Sequence, residues 1–424
     1  MNIKLKELEH IDAELTAPPS KSLTHRAIFI ASLANGTSII KNCLFSDDTN
    51  YSINACSAFG PKIKNINGDL QITGKDYPLN HPKNEIYVGN SGTTMRFISS
   101  YSALMKENRV KIYGNKRMNE RPIGDLIRAL KDLGVKIYSI NKNNCPPIMV
   151  EGGGIIGGQT NLKGEKSSQF FSSLLISCVK AKNEVEIHTI GAIKSRPYID
   201  LTLDTIRYFG GKIFNENYKK FIIPANQLYY SKDYVIEGDF SSASYFFGIA
   251  AVLGGRIKIN NLNHNSSQGD KIFLDILKKM GCKIKYGKNW IEVEGDDLNG
   301  ITIDMKNYPD LVPTLAVVGA FAKGKTHIQN IEHLKYKETD RLKALANELK
   351  KIGAKIEELP TGLLIEKGKT KTAEINTYDD HRIAMSFTIA ALKTGKVIIK
   401  DTECVSKSFS NFFNIIENII GSNN

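Results

Sequence analysis

The sequence has little that would build a membrane span, a metal centre or a disulfide scaffold. Its cysteines, Cys43, Cys56, Cys145, Cys178, Cys282 and Cys404, are scattered, with no CxxC pair and no two histidines at ligand spacing. Reduced structural thiols are therefore expected, and no metal. The longest apolar stretch, 311–322, falls far short of the ~20 residues that cross a bilayer. The start, Met1-Asn2-Ile3-Lys4-Leu5-Lys6-Glu7, lacks the apolar core of a signal peptide. A cytoplasmic protein without a membrane partner is the expectation. There is no GxxxxGK[ST] loop, and no nucleic-acid motif accompanies the basic residues.

What is abundant is positive charge. Over 424 residues the formal net charge is +13, spread out in short pairs such as Lys219-Lys220, Lys278-Lys279 and Lys350-Lys351. Small acidic substrates or a lysine-rich solvated surface would each account for it. The length suffices for two or more domains with substantial cores.

The basic residues become informative where helices begin. In Lys337-Glu338-Thr339-Asp340-Arg341-Leu342, apolar Leu342, Leu345, Leu349 and Ile352 follow at helical spacing and Gly353 ends the run. Thr339 or Asp340 can cap that helix. Lys337 and Arg341 then lie at its positive end, which costs about 0.3–1 kcal/mol unless an anion comes between. Glu338 sits among them as a possible proton carrier. A capped surface helix with a mixed-charge start would explain this one stretch. The arrangement recurs, however. Lys21-Ser22-Leu23-Thr24-His25-Arg26 leads into an apolar run, as do Gly89-Asn90-Ser91-Gly92-Thr93-Thr94-Met95-Arg96, Asp379-Asp380-His381-Arg382 and Lys407-Ser408-Phe409-Ser410. Repeated departure from a local rule points to a site. Several helix N-termini converging on an anionic ligand is the simplest account.

A second pattern is a long internal repeat: a helix ending in Gly, two residues of which the second is Lys, then Ile and a strand. It occurs at Gly60, Gly134, Gly210, Gly281 and Gly353, with Gly expected at a left-handed helix end. One further interval reaches Gly421, where 412–420 reads as a sixth copy without its strand. So long a period suits a compound α/β unit of several strands and two helices rather than a solenoid. The junction between the third and fourth copies places a domain boundary near Glu237.

Other stretches carry chemistry at helix starts. Arg117 and Arg121 precede a helix whose first turn Pro122 fits. Ser167, Ser168 and Gln169 open another, either as caps or as holders of ligand oxygens, and Ser195 and Tyr198 open the next. Asp310 is the only charge from Tyr308 to Ala322, so it is either a helix cap or a general base facing a cationic pocket.

These stretches together, at 19–26, 89–96, 117–122, 167–169, 195–198, 237–245, 337–341, 379–385 and 404–409, resemble the 5-enolpyruvylshikimate-3-phosphate (EPSP) synthase family of enolpyruvyl transferases. They run in that family's order through nearly the whole chain. The resemblance implies a two-domain inverted α/β barrel of six repeated βαβαββ-like units, helices inside and sheets outside. It implies one domain at 16–236 and a second formed by 1–15 and 237–424, three units in each, with hinges near Leu15 and Glu237 and the active site between the domains. It implies transfer of the enolpyruvyl group of phosphoenolpyruvate to the 5-hydroxyl of shikimate 3-phosphate, with no cofactor, by a monomer.

By the same resemblance, shikimate 3-phosphate is held by Lys21, Ser22, Arg26, Ser167, Ser168, Gln169, Ser195, Tyr198, Asp310 and Lys337. Phosphoenolpyruvate is held by Lys21, Asn90, Gly92, Arg121, Gln169, Arg341, His381, Arg382 and Lys407. Asp310 is the group at the attacking hydroxyl and Glu338 the proton donor to carbon, with Lys21 as rival donor. Two other readings remain beside this one. The sister transferase acting on UDP-N-acetylglucosamine would be expected to carry a reactive Cys in a Gly-rich loop, and the loop 152–158 has none. A basic RNA-binding protein of related fold would show strongly salt-dependent binding.

Overall fold

The computed structural model describes residues 1–423. Its contacts divide the chain into two compact units: residues 19–236, and residues 1–18 with the chain from Glu237 onward. Each has its own apolar core.

In the unit 19–236, three four-stranded sheets share one order. The second sheet is representative. Ile86–Tyr87 runs parallel to Arg109–Tyr113, which pairs antiparallel with Ile148–Glu151, which pairs antiparallel with Ile137–Ser139. The other two are Tyr234–Val235, Thr37–Lys41, Asp69–Thr73, Lys62–Ile66, and Gly158–Lys163, Val185–Ile190, Lys220–Ile223, Phe214–Glu216. The helices are of two kinds. Lys21–Ser32, Gly92–Tyr101 and Gln169–Cys178 are buried along almost every residue, the expected place for helices that are apolar or small all round. Phe29 packs edge-on against Phe97 and Tyr101 at 5.4 and 5.5 Å between ring centres. Ser100 meets Ser173 and Ser177 at 2.8 Å, so two of these helices approach through satisfied hydroxyls. Asp47–Ala58, Gly124–Asp132 and Arg196–Tyr208 are amphipathic and keep one face exposed.

The other unit follows the same scheme. Two four-stranded sheets keep the order: Ile11–Thr16, Gly255–Asn260, Trp290–Gly295, Lys283–Tyr286, and Thr302–Asp304, Lys325–Gln329, Gly362–Glu366, Lys355–Leu359. A third has three strands. Ala373–Ile375 lies parallel to Val397–Ile399, which pairs antiparallel with Ile3–Lys4. Phe240–Leu253, Val312–Gly319 and His381–Thr394 are the buried helices here. Gly248 lets them close up, since a Cβ on it would stand 2.7 Å from Ile389 and 3.1 Å from Thr314. Ile272–Met280, Arg341–Lys351 and Phe412–Ser422 are amphipathic.

Three expectations need correction. Among the described residues no sheet closes on itself, so the architecture is mixed α/β with open sheets and contains no hydrogen-bonded barrel. The five repeat glycines are all left-handed (φ from +85° to +119°), as a helix end requires, but the helix Phe412–Ser422 runs straight through Gly421. The last sheet takes its third strand from the other end of the chain: Ile3–Lys4 lies beside Val397–Ile399, in the place that the second strand after the helix takes in the other sheets. Pro122 lies ahead of its helix rather than in its first turn. Ile123 takes the cap position with a non-helical backbone and donates its N–H to the Asn144 carbonyl.

The contrast between two glycines is testable. Gly353 has φ +95° and a Cβ there would lie 1.9 Å from the Lys369 carbonyl oxygen, whereas Gly421 is helical with nothing within 4 Å. Gly353→Ala is expected to cost at least about 1–3 kcal/mol in urea unfolding. Gly421→Ala is expected to be neutral or to stabilise by up to about 1 kcal/mol. Equal effects would contradict the assigned helix ends.

Candidate active site

The expected site residues fall into two sets, one on each unit, and most stand at or just before the start of a helix. In the unit 19–236, Lys21 opens the helix Lys21–Ser32 and its Nζ lies 3.2 Å from Asp48 Oδ2. Asp48 is in the first turn of Asp47–Ala58, which Ser46 and Thr49 close with a capping box. Arg26 is buried further along the first helix. Its Nη1 donates to the Ser22 carbonyl at 2.8 Å, Nη2 to the Tyr198 carbonyl at 2.7 Å and Nε to Thr202 Oγ1 at 2.8 Å. It thus braces the Ser22 turn against the start of Arg196–Tyr208. Burial pulls its pKa down to about 10, against the raising pull of Tyr198 and Tyr234, and it remains a cation at neutral pH. Ser195, the cap of that helix, is held left-handed at φ +60°, where a residue with a Cβ rarely sits.

The Gly-rich segment is tied from two sides. Arg121 Nη1 donates to the Asn90 carbonyl and to Asn90 Oδ1, both at 3.3 Å. Arg96 Nη1 donates to the Gly92 carbonyl at 3.2 Å and Nη2 to the Pro122 carbonyl at 3.3 Å. A Cβ on Gly92 would meet Arg121 Nη2 at 2.6 Å, so glycine is what admits the guanidinium there. Gln169 Nε2 donates to Thr93 Oγ1 at 3.0 Å and its backbone N–H to Ser167 Oγ at 3.2 Å. Ser168 stands at the cap position of that helix, but its hydroxyl makes no cap bond. Sequence reasoning passed over Asp48, which reads as an ordinary acidic residue of a first helical turn. It also missed the buried relay His25–Ser52–Thr94, with 2.8 Å at each step, which ties the Lys21 helix to the Gly92 helix.

The second set is built around one guanidinium. Arg341, 1 % exposed, donates from Nε to Asp380 at 2.7 Å, from Nη1 to Asp310 at 3.1 Å and from Nη2 to Glu338 at 2.7 Å. Asp340 caps the helix by accepting from the Lys343 N–H. Arg382 holds the other oxygen of Asp310 at 2.8 Å, and its Nη1 donates to Tyr245 Oη at 3.0 Å and to Ser241 Oγ. The anion required at this helix start is therefore supplied by three protein carboxylates. Asp380 itself accepts from the Arg382 N–H at 2.9 Å, and His381 Nδ1 lies 3.9 Å from it. Lys337 follows the short helix Glu332–Tyr336, and buried Lys407 ends Thr402–Lys407.

Electrostatics follow from this geometry. Burial alone would raise the Asp310 pKa, but Arg382, Lys337 and Arg341 outweigh it and hold the carboxyl well below its usual range. Arg341 loses some affinity for its proton through burial and more than regains it from Asp380, Glu338 and Asp310, so it is a permanent cation. Burial pushes the Tyr245 phenol up to about 12 despite Arg382, which keeps it a neutral hydrogen-bonding group. Among the described residues no three His, Cys, Asp or Glu side chains cluster as metal ligands, and no helix is long and apolar enough to cross a membrane. Asp380 was visible only as cap-type sequence, and its pairing with Arg341 joins positions 39 residues apart.

Mixed α/β units whose helix starts carry cations and paired carboxylates define a protein that handles small anions. Residues 5–416 match the model of the family described as EPSP synthase (3-phosphoshikimate 1-carboxyvinyltransferase). The chain is 40 % identical to the 3-phosphoshikimate 1-carboxyvinyltransferase of a Sulfurovum species, covering 99 % of both chains. It is 42 % identical to that of Methanocaldococcus jannaschii, covering 98 % of this chain and 97 % of the other. Among solved structures, EPSP synthase of Acinetobacter baumannii aligns with a TM-score of 0.82 at 26 % identity, over 99 % of this chain and 98 % of that one. The chain belongs to the EPSP synthase family. As a member it is an enzyme, a carboxyvinyltransferase.

The low pKa of Asp310 has a consequence for stability. A carboxylate depressed in the folded state contributes stability that is complete above its ordinary value of 3.8 and is lost as pH falls toward the folded value. Asp310→Asn is expected to cost about 1.5–3 kcal/mol near pH 7, the worth of hydrogen bonds to charged groups. Urea titrations should show this deficit constant down to about pH 5 and narrowing below the ordinary value. A deficit independent of pH would show that the guanidinium groups do not hold Asp310 ionised.

Proposed function

We propose that this chain joins the 5-hydroxyl of shikimate 3-phosphate to the central carbon of phosphoenolpyruvate and then expels phosphate, forming 5-enolpyruvylshikimate 3-phosphate in aromatic biosynthesis. The observation that carries the reading is the Arg341 guanidinium shared by Asp310 and Glu338. The chemistry needs a base at the attacking hydroxyl and an acid for the methylene carbon, and here two carboxylates lie on one cation. Asp310 takes the first role and Glu338 the second, with Lys21 the rival donor. With its pKa depressed, Asp310 is a weak base in the empty enzyme. Substrate phosphate and carboxylate groups that engage Arg382 and Lys337 weaken their hold on Asp310 and raise its basicity. The adduct is tetrahedral, and the fixed cations stabilise its charge.

Shikimate 3-phosphate is assigned to Lys21, Ser22, Arg26, Ser167, Ser168, Gln169, Ser195, Tyr198, Asp310 and Lys337. Phosphoenolpyruvate is assigned to Lys21, Asn90, Gly92, Arg121, Gln169, Arg341, His381, Arg382 and Lys407. Nearly all of the excess of basic over acidic residues falls in 19–236, which favours capture of the anionic acceptor there. Both sets of residues serve one reaction, the chain forms two domains of three repeated units each, and no cofactor takes part. The recurrence of one strand order in the sheets supports the repeat reading. A cytoplasmic monomer is proposed.

Phosphate release from phosphoenolpyruvate should require shikimate 3-phosphate and fail with UDP-N-acetylglucosamine; the reverse would sink the assignment. Glu338→Gln is expected to cut turnover by roughly 10²–10⁴-fold with little change in binding. Normal turnover in that variant would transfer the donor role to Lys21.

Gly92→Ala places a methyl group against Arg121 Nη2. It should raise the KM for phosphoenolpyruvate and weaken the phosphonate glyphosate, which is expected to compete for the same place. Unchanged constants for both would separate Gly92 and Arg121 from that substrate.

A further inference from the structure

The helix Arg341–Lys351 carries a second carboxylate contact that the reaction does not use directly. Glu348 is two turns beyond Arg341 and its side chain is 0 % exposed. Its Oε2 accepts from the Asn376 N–H at 3.1 Å and from Lys351 Nζ at 2.6 Å, and its Oε1 accepts from the Tyr378 hydroxyl at 2.6 Å. Lys351 Nζ also donates to the Glu374 carbonyl at 3.2 Å. A buried carboxylate is costly unless it is paired and hydrogen-bonded, and this one is satisfied on both oxygens by the segment leading to Asp380.

That segment is strained. Tyr378 and Asp379 are consecutive residues in the left-handed region, at φ +55° and +54°, where neither a bulky aromatic nor its neighbour settles unaided. The turn closes with the Asp380 N–H donating to the Thr377 carbonyl at 2.9 Å. Asp380 emerges from it with one oxygen 2.7 Å from Arg341 Nε and the other on the Arg382 N–H. One helix therefore grips the turn at two places, through Glu348 on Asn376 and Tyr378 and through Arg341 on Asp380.

We propose that Glu348 is a positioning residue for the transferase reaction, acting with the Tyr378 hydroxyl. It holds Tyr378 and Asp379 in the left-handed form that aims Asp380 at Arg341, and so sets the guanidinium that Asp310 and Glu338 share. It touches no substrate. The proposal rests on the reading of Arg341 and Arg382 as phosphoenolpyruvate-binding residues.

The test compares Glu348→Gln, Tyr378→Phe, Asp380→Asn and the double variant Glu348→Gln/Asp380→Asn in the full-length enzyme. Glu348→Gln leaves one acceptor oxygen: its amide donor either faces the Asn376 N–H and Lys351 or takes the place of the oxygen that accepts from the Tyr378 hydroxyl, which must then turn. For Glu348→Gln, kcat/KM for phosphoenolpyruvate should fall by about 10- to 100-fold, the cost of a small misplacement of reacting groups. The calorimetric affinity for shikimate 3-phosphate alone should stay within about twofold. Tyr378→Phe removes one hydroxyl at a partly exposed position and should show a smaller loss on the same substrate, about three- to tenfold. If Glu348→Gln does not fold, this variant carries the test. The losses of Glu348→Gln and Asp380→Asn should not multiply in the double variant, because both act through one turn. Full activity of Tyr378→Phe and Glu348→Gln alongside an impaired Asp380→Asn would overturn the proposal alone. So would equal losses on both substrates with multiplying effects. An unimpaired Asp380→Asn would overturn the phosphoenolpyruvate reading and this proposal with it.

Discussion

The structure of the unit that begins and ends the chain depends on one buried cation. A guanidinium at a helix N-terminus is unfavourable on its own, because the helix end is already positive. Arg341 is tolerated there because Asp310, Glu338 and Asp380 surround it, each within hydrogen-bond distance. Asp310 in turn stays an anion because Arg382, Lys337 and Arg341 outweigh the effect of its burial. Removing any member strands the opposite charge in a poorly solvated place, which is costlier than the pair was ever favourable.

This mutual dependence explains why the surrounding backbone is so closely specified. Asp310 reaches the cluster from the segment ahead of a buried apolar helix, and Asp380 from a left-handed turn. Arg341 comes from an amphipathic helix, and Tyr245 with Ser241 from a fourth helix. None of these elements could shift by a turn without breaking a charged contact. The other unit uses a milder version of the same logic. There Arg26, Arg96 and Arg121 donate to carbonyl oxygens near helix starts and so fix loops. Ground-state organisation of this kind suits a reaction whose demand is fixed positive charge around anionic substrates.

The buried helices connect fold to site. Hydroxyl and glycine positions let them approach one another, so their starts are brought close within each unit. Their apolar character was plain from composition, and so was the recurrence of cations at their starts. What the local pattern could not show was which anion each cation meets. For Arg341 the partners are protein carboxylates from segments up to 39 residues away, a pairing that no helical spacing encodes. The same holds for Lys21 and Asp48, where the acid reads as an unremarkable first-turn residue.

The sequence by itself determined most of the helices and five of their glycine ends, because these rest on residues within a few positions of one another. Gly60, Gly134, Gly210, Gly281 and Gly353 marked left-handed ends, and the pair Thr339-Asp340 marked a cap that the structure gives to Asp340, through local sterics and hydrogen bonding alone. It also determined the set of charged residues at helix starts, and with them the family. Tertiary structure decided the rest. Gly421 became part of a helix, and the last sheet took its third strand from Ile3–Lys4, since a sheet edge accepts whichever segment can reach it. Only packing could decide that Arg341 is enclosed by three acids, and that Glu348 faces Asn376 and Tyr378, because those contacts exist only once distant segments share one space.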